Sequence, residues 1–587
     1  MGDVGTLTAQ SPATTAEQPK RGRRLLADLA AMGSMVALAF LVFARLWVDP
    51  TRRYLIDGAS DQQLFEWFFA QTAHALVRGD DLLFSNFINF PTGINVMANT
   101  ASFGLSIPLA PVTLTLGASV TWAIVLLVGL AGTAIGWYWL MSRYLVTSRL
   151  GAAIGAGLAG FAPSMISQAQ AHPQMMVLFP VPFIIIQLIK LYRGQRIVLN
   201  GILLGLIVTW QLFIGEEALM IAAIGIATFI VAWAAMHWSE FRARFRTTAL
   251  GVAIGAAVSL VICAYPLWFQ FTGPQSYSAL LHGPSGNPLE SFWSFSTESL
   301  LGHAEIARQL SMNRTEENSF FGWPLLALTI ALVVWLWKRK VARVLMIVIV
   351  VAAALSLGPR VVLNGEATWM PAPWILFRHM PLLDSLLESR LAMICVPAMG
   401  ILIALGIDRL RKSTAPTRYR VVGYAAIALA LLPIFPTPLR AADREPLPEF
   451  FADGTYRAYV PEGGTVIPVP PTVPGDVDAY DWQVKTGMEF HIPEGYFVGP
   501  WDETGRASYG AYPRPMSWLL RRIRDGEGLT VNEADKAQAK ADLEFWKASV
   551  VVLGDQPHRD ELKTAVDELL GEEGELVGGL YVWKVAP

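Results

Sequence analysis

The stretch KRGRRLLADLAAMGSMVALAFLVFARLWVDP, residues 20–50, sets four basic residues, Lys20, Arg21, Arg23 and Arg24, directly before an apolar run from Leu25 to Val48. A bilayer takes about 20 apolar residues to cross, so the run is long enough to span it. Basic residues collect on the cytoplasmic side, which places the N terminus there. No small-residue cleavage site follows, so the run reads as an anchor and not as a removable signal. Residues 1–24, rich in Thr, Ala, Gln and Gly before Lys20, are expected to form a disordered cytoplasmic tail.

The remainder of the 587-residue chain extends this reading. It is 53% hydrophobic and 16% charged, with a mean hydropathy of +0.42, whereas a soluble chain carries about a quarter charged residues. The composition predicts a polytopic α-helical membrane protein with about eleven transmembrane helices. They are expected near Leu25–Val48, Val120–Tyr144, Ala152–Ile166, Met175–Leu191, Ile197–Ile214, Leu219–Trp238, Thr248–Phe271, Phe321–Trp337, Val341–Leu357, Leu391–Ile407 and Val421–Phe435. Pro108 and Pro111 interrupt the apolar stretch Ser102–Leu116, which is expected to be short or re-entrant. Net charge is only −2, so no nucleic-acid partner is implied. Cys263 and Cys395 lie in apolar runs and read as core thiols.

Basic clusters recur in every second loop, as at Arg143 and Arg149, Lys190 to Arg196, Arg242 to Arg246, Lys338 to Arg343, and Arg409 to Arg420. The long loops, 49–101, 272–320 and 358–390, then share the opposite, extracytoplasmic face with everything after Pro436. The expected organisation is a membrane domain over 25–436 and an extracytoplasmic C-terminal α/β domain over 437–587. In the latter, Thr465–Val469, Ala548–Leu553 and Leu576–Val585 read as strands and Arg559–Leu570 as a helix.

Chemistry is expected on the loop face. Asp57-Gly58-Ala59-Ser60-Asp61-Gln62-Gln63 precedes an aromatic helix, Leu64 to Val77. Ser60 with Gln63 reads as a capping box, which sets Asp61 at the helix start, where the helix dipole favours a carboxylate. A carboxylate held there can take a proton from a hydroxyl, or can simply stabilise the helix start; Asp57 is the alternative base. Asn86, Asn89, Asn95 and Asn99 crowd the next segment, and Asn both donates and accepts, which suits sugar hydroxyls as well as the turn at Pro91-Thr92-Gly93. His172, beside Gln168 and Gln170, and Glu216 with Glu217 are further candidate substrate contacts at tight turns, against the plainer reading of capping or solvent exposure. Glu316, Glu317 and Asn318 share that ambiguity. Arg360, Arg378 and Arg390 flank the third long loop, and an Arg fork at a membrane surface can bind a lipid phosphate in two-point fashion or merely snorkel to headgroups.

These features together resemble a known superfamily. A first span followed by an acidic loop with interfacial helices, then a polytopic bundle and a C-terminal domain, is similar to the GT-C glycosyltransferases. More closely, Ser60-Asp61-Gln62-Gln63-Leu64-Phe65-Glu66-Trp67, the Asn89-Phe90-Pro91-Thr92-Gly93-Ile94-Asn95 segment, Leu357-Gly358-Pro359 and the Arg390 region resemble actinobacterial membrane proteins placed in that superfamily. The resemblance implies an inverting transferase that moves a sugar from a polyprenyl-phosphate donor to an envelope glycan or glycolipid acceptor, among membrane lipids. Asp61 would be its first-loop base. No cofactor is implied outright: many metal-dependent relatives carry adjacent acids in this loop, whereas Asp57 and Asp61 are separated by Gly58, Ala59 and Ser60, so a divalent ion stays an open alternative and no metal ligands are assigned. A flippase for a lipid-linked glycan, or a non-catalytic envelope-assembly scaffold, are the rival readings.

Overall fold

The structure, a computed structural model, describes residues 18–585 apart from 281, 284 and 503. Residues 1–17 of the expected tail lie outside the described residues. Residues 18–24 are not a loose tail, because the first helix already begins at Gln18 and runs to Val42.

The chain is a multi-pass membrane protein. Among the described residues eight helices, against the eleven expected, are long and apolar enough to cross a bilayer: Arg24–Val42, Ala118–Leu145, Pro173–Tyr192, Ile197–Ile214, Glu216–Met236, Trp238–Thr272, Glu388–Lys412 and Thr417–Ile434. Arg149–Phe161 and Trp323–Trp335 are shorter apolar helices, and Lys340–Leu355 is a further helix. Phe103–Leu116 is one continuous helix despite its two prolines, but its 14 residues reach only about 21 Å, less than a hydrocarbon core of about 30 Å. It packs on the Ala59–Arg78 and Ala118–Leu140 helices. Cys263 and Cys395 are free and buried.

The C-terminal region contains a four-stranded mixed sheet. Its order is Glu575–Val577, Leu580–Lys584, Ala548–Leu553, Thr465–Pro468, with the last two parallel and the others antiparallel. The expected last strand is thus a hairpin turning at Gly578 and Gly579. Strand alternation gives the sheet two apolar faces. Val551, Leu553 and Trp583 pack with Leu520, Leu543 and Leu562 of the Pro515–Arg524, Glu533–Phe545 and Arg559–Leu570 helices. Val550, Val552 and Val582 face the other way and join a core continuous with the membrane bundle. A short ladder ties the first loop to the connector after the last span: Arg53–Leu55 pairs antiparallel with Ala441–Asp443.

Candidate active site

The Ala59–Arg78 helix carries the site's first carboxylate. Its aromatic residues Phe65, Trp67, Phe68 and Phe69 are all buried, so the helix faces the bundle and the C-terminal region. It ends at Gly79 in the left-handed conformation. The expected capping box does not form. Gly58 is the cap and no side chain bonds there, because the chain enters from a tight turn, Ile56–Gly58, pressed against the Gln170 carbonyl; a Cβ on Gly58 would stand 2.1 Å from that oxygen. Ser60 and Asp61 both fall inside the first turn. Gln62 does the anchoring instead: it accepts from the Leu55 amide at 3.0 Å and donates to Glu66 at 2.7 Å. Glu66 is paired in turn with buried Arg444.

The two first-loop acids differ sharply in company. Both oxygens of Asp57 accept from Arg440 at 2.8 Å, and Arg314 stands 3.3 Å away. Among the described residues, the one side-chain hydrogen bond to Asp61 comes from Tyr496, whose hydroxyl donates to Oδ1 at 2.7 Å. Burial, then the charge and hydrogen bond of Asp61, hold the Tyr496 phenol well above its ordinary range, so it is a donor throughout the physiological range.

Beyond Asp61 lies a buried ion network. Arg390, only 6% exposed, is paired with Glu217 and with Glu316. Its Nε reaches both Glu316 oxygens at 3.1 and 3.2 Å. Burial alone would push Glu316 up, but Arg390, then His172, and hydrogen bonds from Arg390 and Asn318 overcome it and hold the carboxyl down at about 2. His172 Nδ1 lies 2.9 Å from Gln168 Oε1 and 3.4 Å from Glu316. Burial and then the Arg390 charge keep its pKa below the usual imidazole range, against the pull of Glu316 and Asp61. Gln168 completes the net by donating to Glu316 and Asn318 at 3.0 and 2.8 Å. Glu217 also accepts from the Leu387 amide, and Glu216 from Gln270 at 2.9 Å. Among the described residues no group of three or more His, Cys, Asp or Glu side chains is arranged to hold a metal ion.

No protein-family model and no curated protein sequence matches the chain. Its fold does match solved structures. One is the archaeal oligosaccharyltransferase AglB from Archaeoglobus fulgidus, in complex with an inhibitory peptide and a dolichol-phosphate: TM-score 0.51, 13% identity, 90% of this chain and 69% of that one covered. Another is the arabinofuranosyltransferase AftD from Mycobacteria, with a TM-score of 0.54 and 14% identity. This chain covers 40% of the arabinofuranosyltransferase, which covers 96% of it. The chain has the GT-C fold.

Within this GT-C fold the other expected site residues divide clearly. Asn89 donates to the Gly93 carbonyl, and Asn95 donates to the Phe269 carbonyl while accepting from the Ala98 amide. Asn99 brackets Val498, accepting from its amide at 2.6 Å and donating to its carbonyl at 2.9 Å. These side chains are spent on backbone. Asn86 is exposed, and its carbonyl accepts from His491. Arg360 is exposed on the hairpin Arg360–Leu363/Glu366–Pro371. Arg378, also exposed, lines a cavity of about 520 Å³ with Arg506, His282, His379 and Glu388. Sequence reading had no signal for Tyr496, Arg440, Arg444 or Arg506, all brought to the first and third loops by the C-terminal region.

Proposed function

We propose that the chain is a glycosyltransferase that moves a sugar from a polyprenyl-phosphate donor to a hydroxyl of an envelope glycan or glycolipid. The reaction takes place on the extracytoplasmic face, with the N terminus inside and residues 437–587 outside, and with 25–436 as the membrane domain. The observation that carries this reading is the contrast between the two loop acids: Asp57 is clamped by two arginines, while Asp61 has one oxygen anchored by a phenol and, among the described residues, no side-chain partner on the other. A general base needs such an open oxygen.

In the proposed step the acceptor hydroxyl gives its proton to Asp61, its oxygen bonds to the anomeric carbon, and the bond from that carbon to the phosphate oxygen breaks. The configuration inverts in this single displacement. The leaving phosphate gains charge and needs cations more than a proton. Arg390 is already matched by two carboxylates, so the phosphate falls to Arg378 and Arg506, which face one cavity and have no carboxylate bonded to them among the described residues. His172, Glu216, Glu217 and the side chains of Asn89, Asn95 and Asn99 act by shaping the site and not by holding sugar.

The purified protein is tested for turnover against a panel of polyprenyl-phosphate sugars with glycan and glycolipid acceptors. The expected result is transfer from at least one donor with release of the lipid phosphate. Donor movement across reconstituted vesicles without sugar transfer would overturn the reading in favour of a flippase.

A further inference from the structure

The Asn-rich first loop and the C-terminal region meet along the segment Ile492–Val498, and the meeting is unusually complete. The Ile492 amide donates to the Phe87 carbonyl at 2.9 Å, Phe90 donates back to Ile492 at 3.1 Å, and the Asn89 amide donates to the Glu494 carbonyl at 2.7 Å. Asn99 closes on Val498 from the other end. Between these clamps, the buried Tyr480 hydroxyl accepts from the Tyr496 amide at 2.7 Å and donates to its carbonyl at 3.0 Å. Gly495, at φ +136, allows that approach, since a Cβ there would stand 2.6 Å from the Tyr480 hydroxyl. The helix that carries Tyr480, Asp478–Lys485, is itself held to the first-loop helix: Gln483 accepts from the Trp67 indole at 2.9 Å and donates to the Phe87 and Phe490 carbonyls at 2.8 Å.

The backbone of one residue is therefore fixed on both sides, and that residue is Tyr496. Its ring lies 6.2 Å from that of Tyr509, and its hydroxyl reaches Asp61 Oδ1. A hydrogen-bonded carboxylate oxygen whose donor sits on a clamped backbone loses most of its rotational freedom, which is how a base is kept within reach of the proton it takes. The charged and titratable groups that share this field are Tyr509 and His172, and behind them Arg390, Glu217 and Glu316.

We infer that Tyr496 is a positioning residue: the C-terminal segment delivers its hydroxyl to hold Asp61 with one oxygen turned to the acceptor, and the Asn99 side chain with the backbone of residues 87–90 serves to seat that segment. This rests on the transferase reading above. It gives the C-terminal region a direct part in turnover, contributed 435 positions away from the base in sequence.

Tyr496→Phe keeps the ring and removes the hydroxyl. With wild-type turnover established, the variant is expected to lose about 10- to 100-fold in kcat, the size of one hydrogen bond to a charged group. KM for donor and acceptor should stay within about twofold, with turnover compared on folded protein. The deciding measurement is the double variant: in an Asp61→Asn background, Tyr496→Phe should cost nothing further, because it acts through the missing carboxylate. A wild-type kcat in Tyr496→Phe, or a loss that simply adds to that of Asp61→Asn, overturns the inference and leaves the transferase reading standing. A wild-type protein that turns over no donor overturns both.

Discussion

Exchanging each first-loop acid for its amide separates a base from a brace. Asp61→Asn keeps an oxygen 2.7 Å from the Tyr496 phenol and loses only a charge in the first helical turn, a stability effect of about 0.3–1 kcal/mol. Turnover should nevertheless fall about 10²- to 10⁴-fold, because an amide takes no proton from the acceptor. That loss corresponds to roughly 2.7–5.4 kcal/mol of barrier. Asp57→Asn has the opposite profile. It leaves Arg314 and Arg440 facing an uncharged group, and with Arg440 41% exposed and so partly hydrated, the cost is about 2 kcal/mol of stability. Turnover of the folded fraction should stay within about threefold of wild type. The assay pairs donor turnover by detergent-purified variants with chemical denaturation of the same samples. Loss of turnover in Asp57→Asn at unchanged stability, with Asp61→Asn active, would refute the assignment of the base.

Arg378→Ala and Arg506→Ala should each raise the donor KM about tenfold with folding intact, whereas Arg390→Ala strands Glu217 and Glu316 and should cost about 3–5 kcal/mol of stability. A stable Arg390→Ala protein with weakened donor binding would return the phosphate to Arg390. Burial, with Glu298 adding to it against the Thr297 hydrogen bonds and Arg314, pushes Glu317 up from its ordinary 4.5 to about 7. The folded chain then binds this proton more tightly than the unfolded one, so the stability it supplies is complete below about pH 4.5 and is lost as pH rises through 7. Glu317→Gln, which needs no proton, should flatten the fall in melting temperature between pH 5 and 8; an unchanged slope would refute that role. A cysteine near Gly526 should react with an impermeant reagent in intact cells and one near Thr414 should not, and the reverse labelling would invert the orientation.

The membrane helices were legible in the sequence because an apolar run of bilayer length carries its own evidence. Helices stand at the apolar runs, although among the described residues eight of the eleven expected spans are long and apolar enough to cross, and the apolar run Ala548–Leu553 is a strand as expected, with side chains packed on both faces. The capping box was misread because Ser60 and Gln63 have the right spacing, while the helix start is decided by the contact of Gly58 with Gln170, more than a hundred positions away. Asn89, Asn95 and Asn99 were recognisable as hydrogen-bonding side chains, yet nothing local says that their partners are backbone groups; for Asn99 the partner is 399 positions distant. Arg390 was visible as an Arg at a span end, but its two carboxylates come from distant segments, Glu217 from the start of the Glu216–Met236 helix and Glu316 from the turn Arg314–Glu316.

Such distant pairings follow one rule here. The first loop is polar at its base, and taking its polar and charged groups from water is costly unless they find partners. The chain supplies them from beyond the last span: Arg440 for Asp57, Arg444 for Glu66, Gln483 for the Trp67 indole and Tyr496 for Asp61. The ladder between Arg53–Leu55 and Ala441–Asp443 fixes where that second segment begins, so each donor arrives in register with the loop. Three of the four pairs join groups whose neutral or ionic partner is largely buried, and each would be costly if left alone. The fourth joins a phenol to a carboxylate with an oxygen to spare. Structural economy accounts for the first three, and the open oxygen in the fourth is the feature that stability alone does not require.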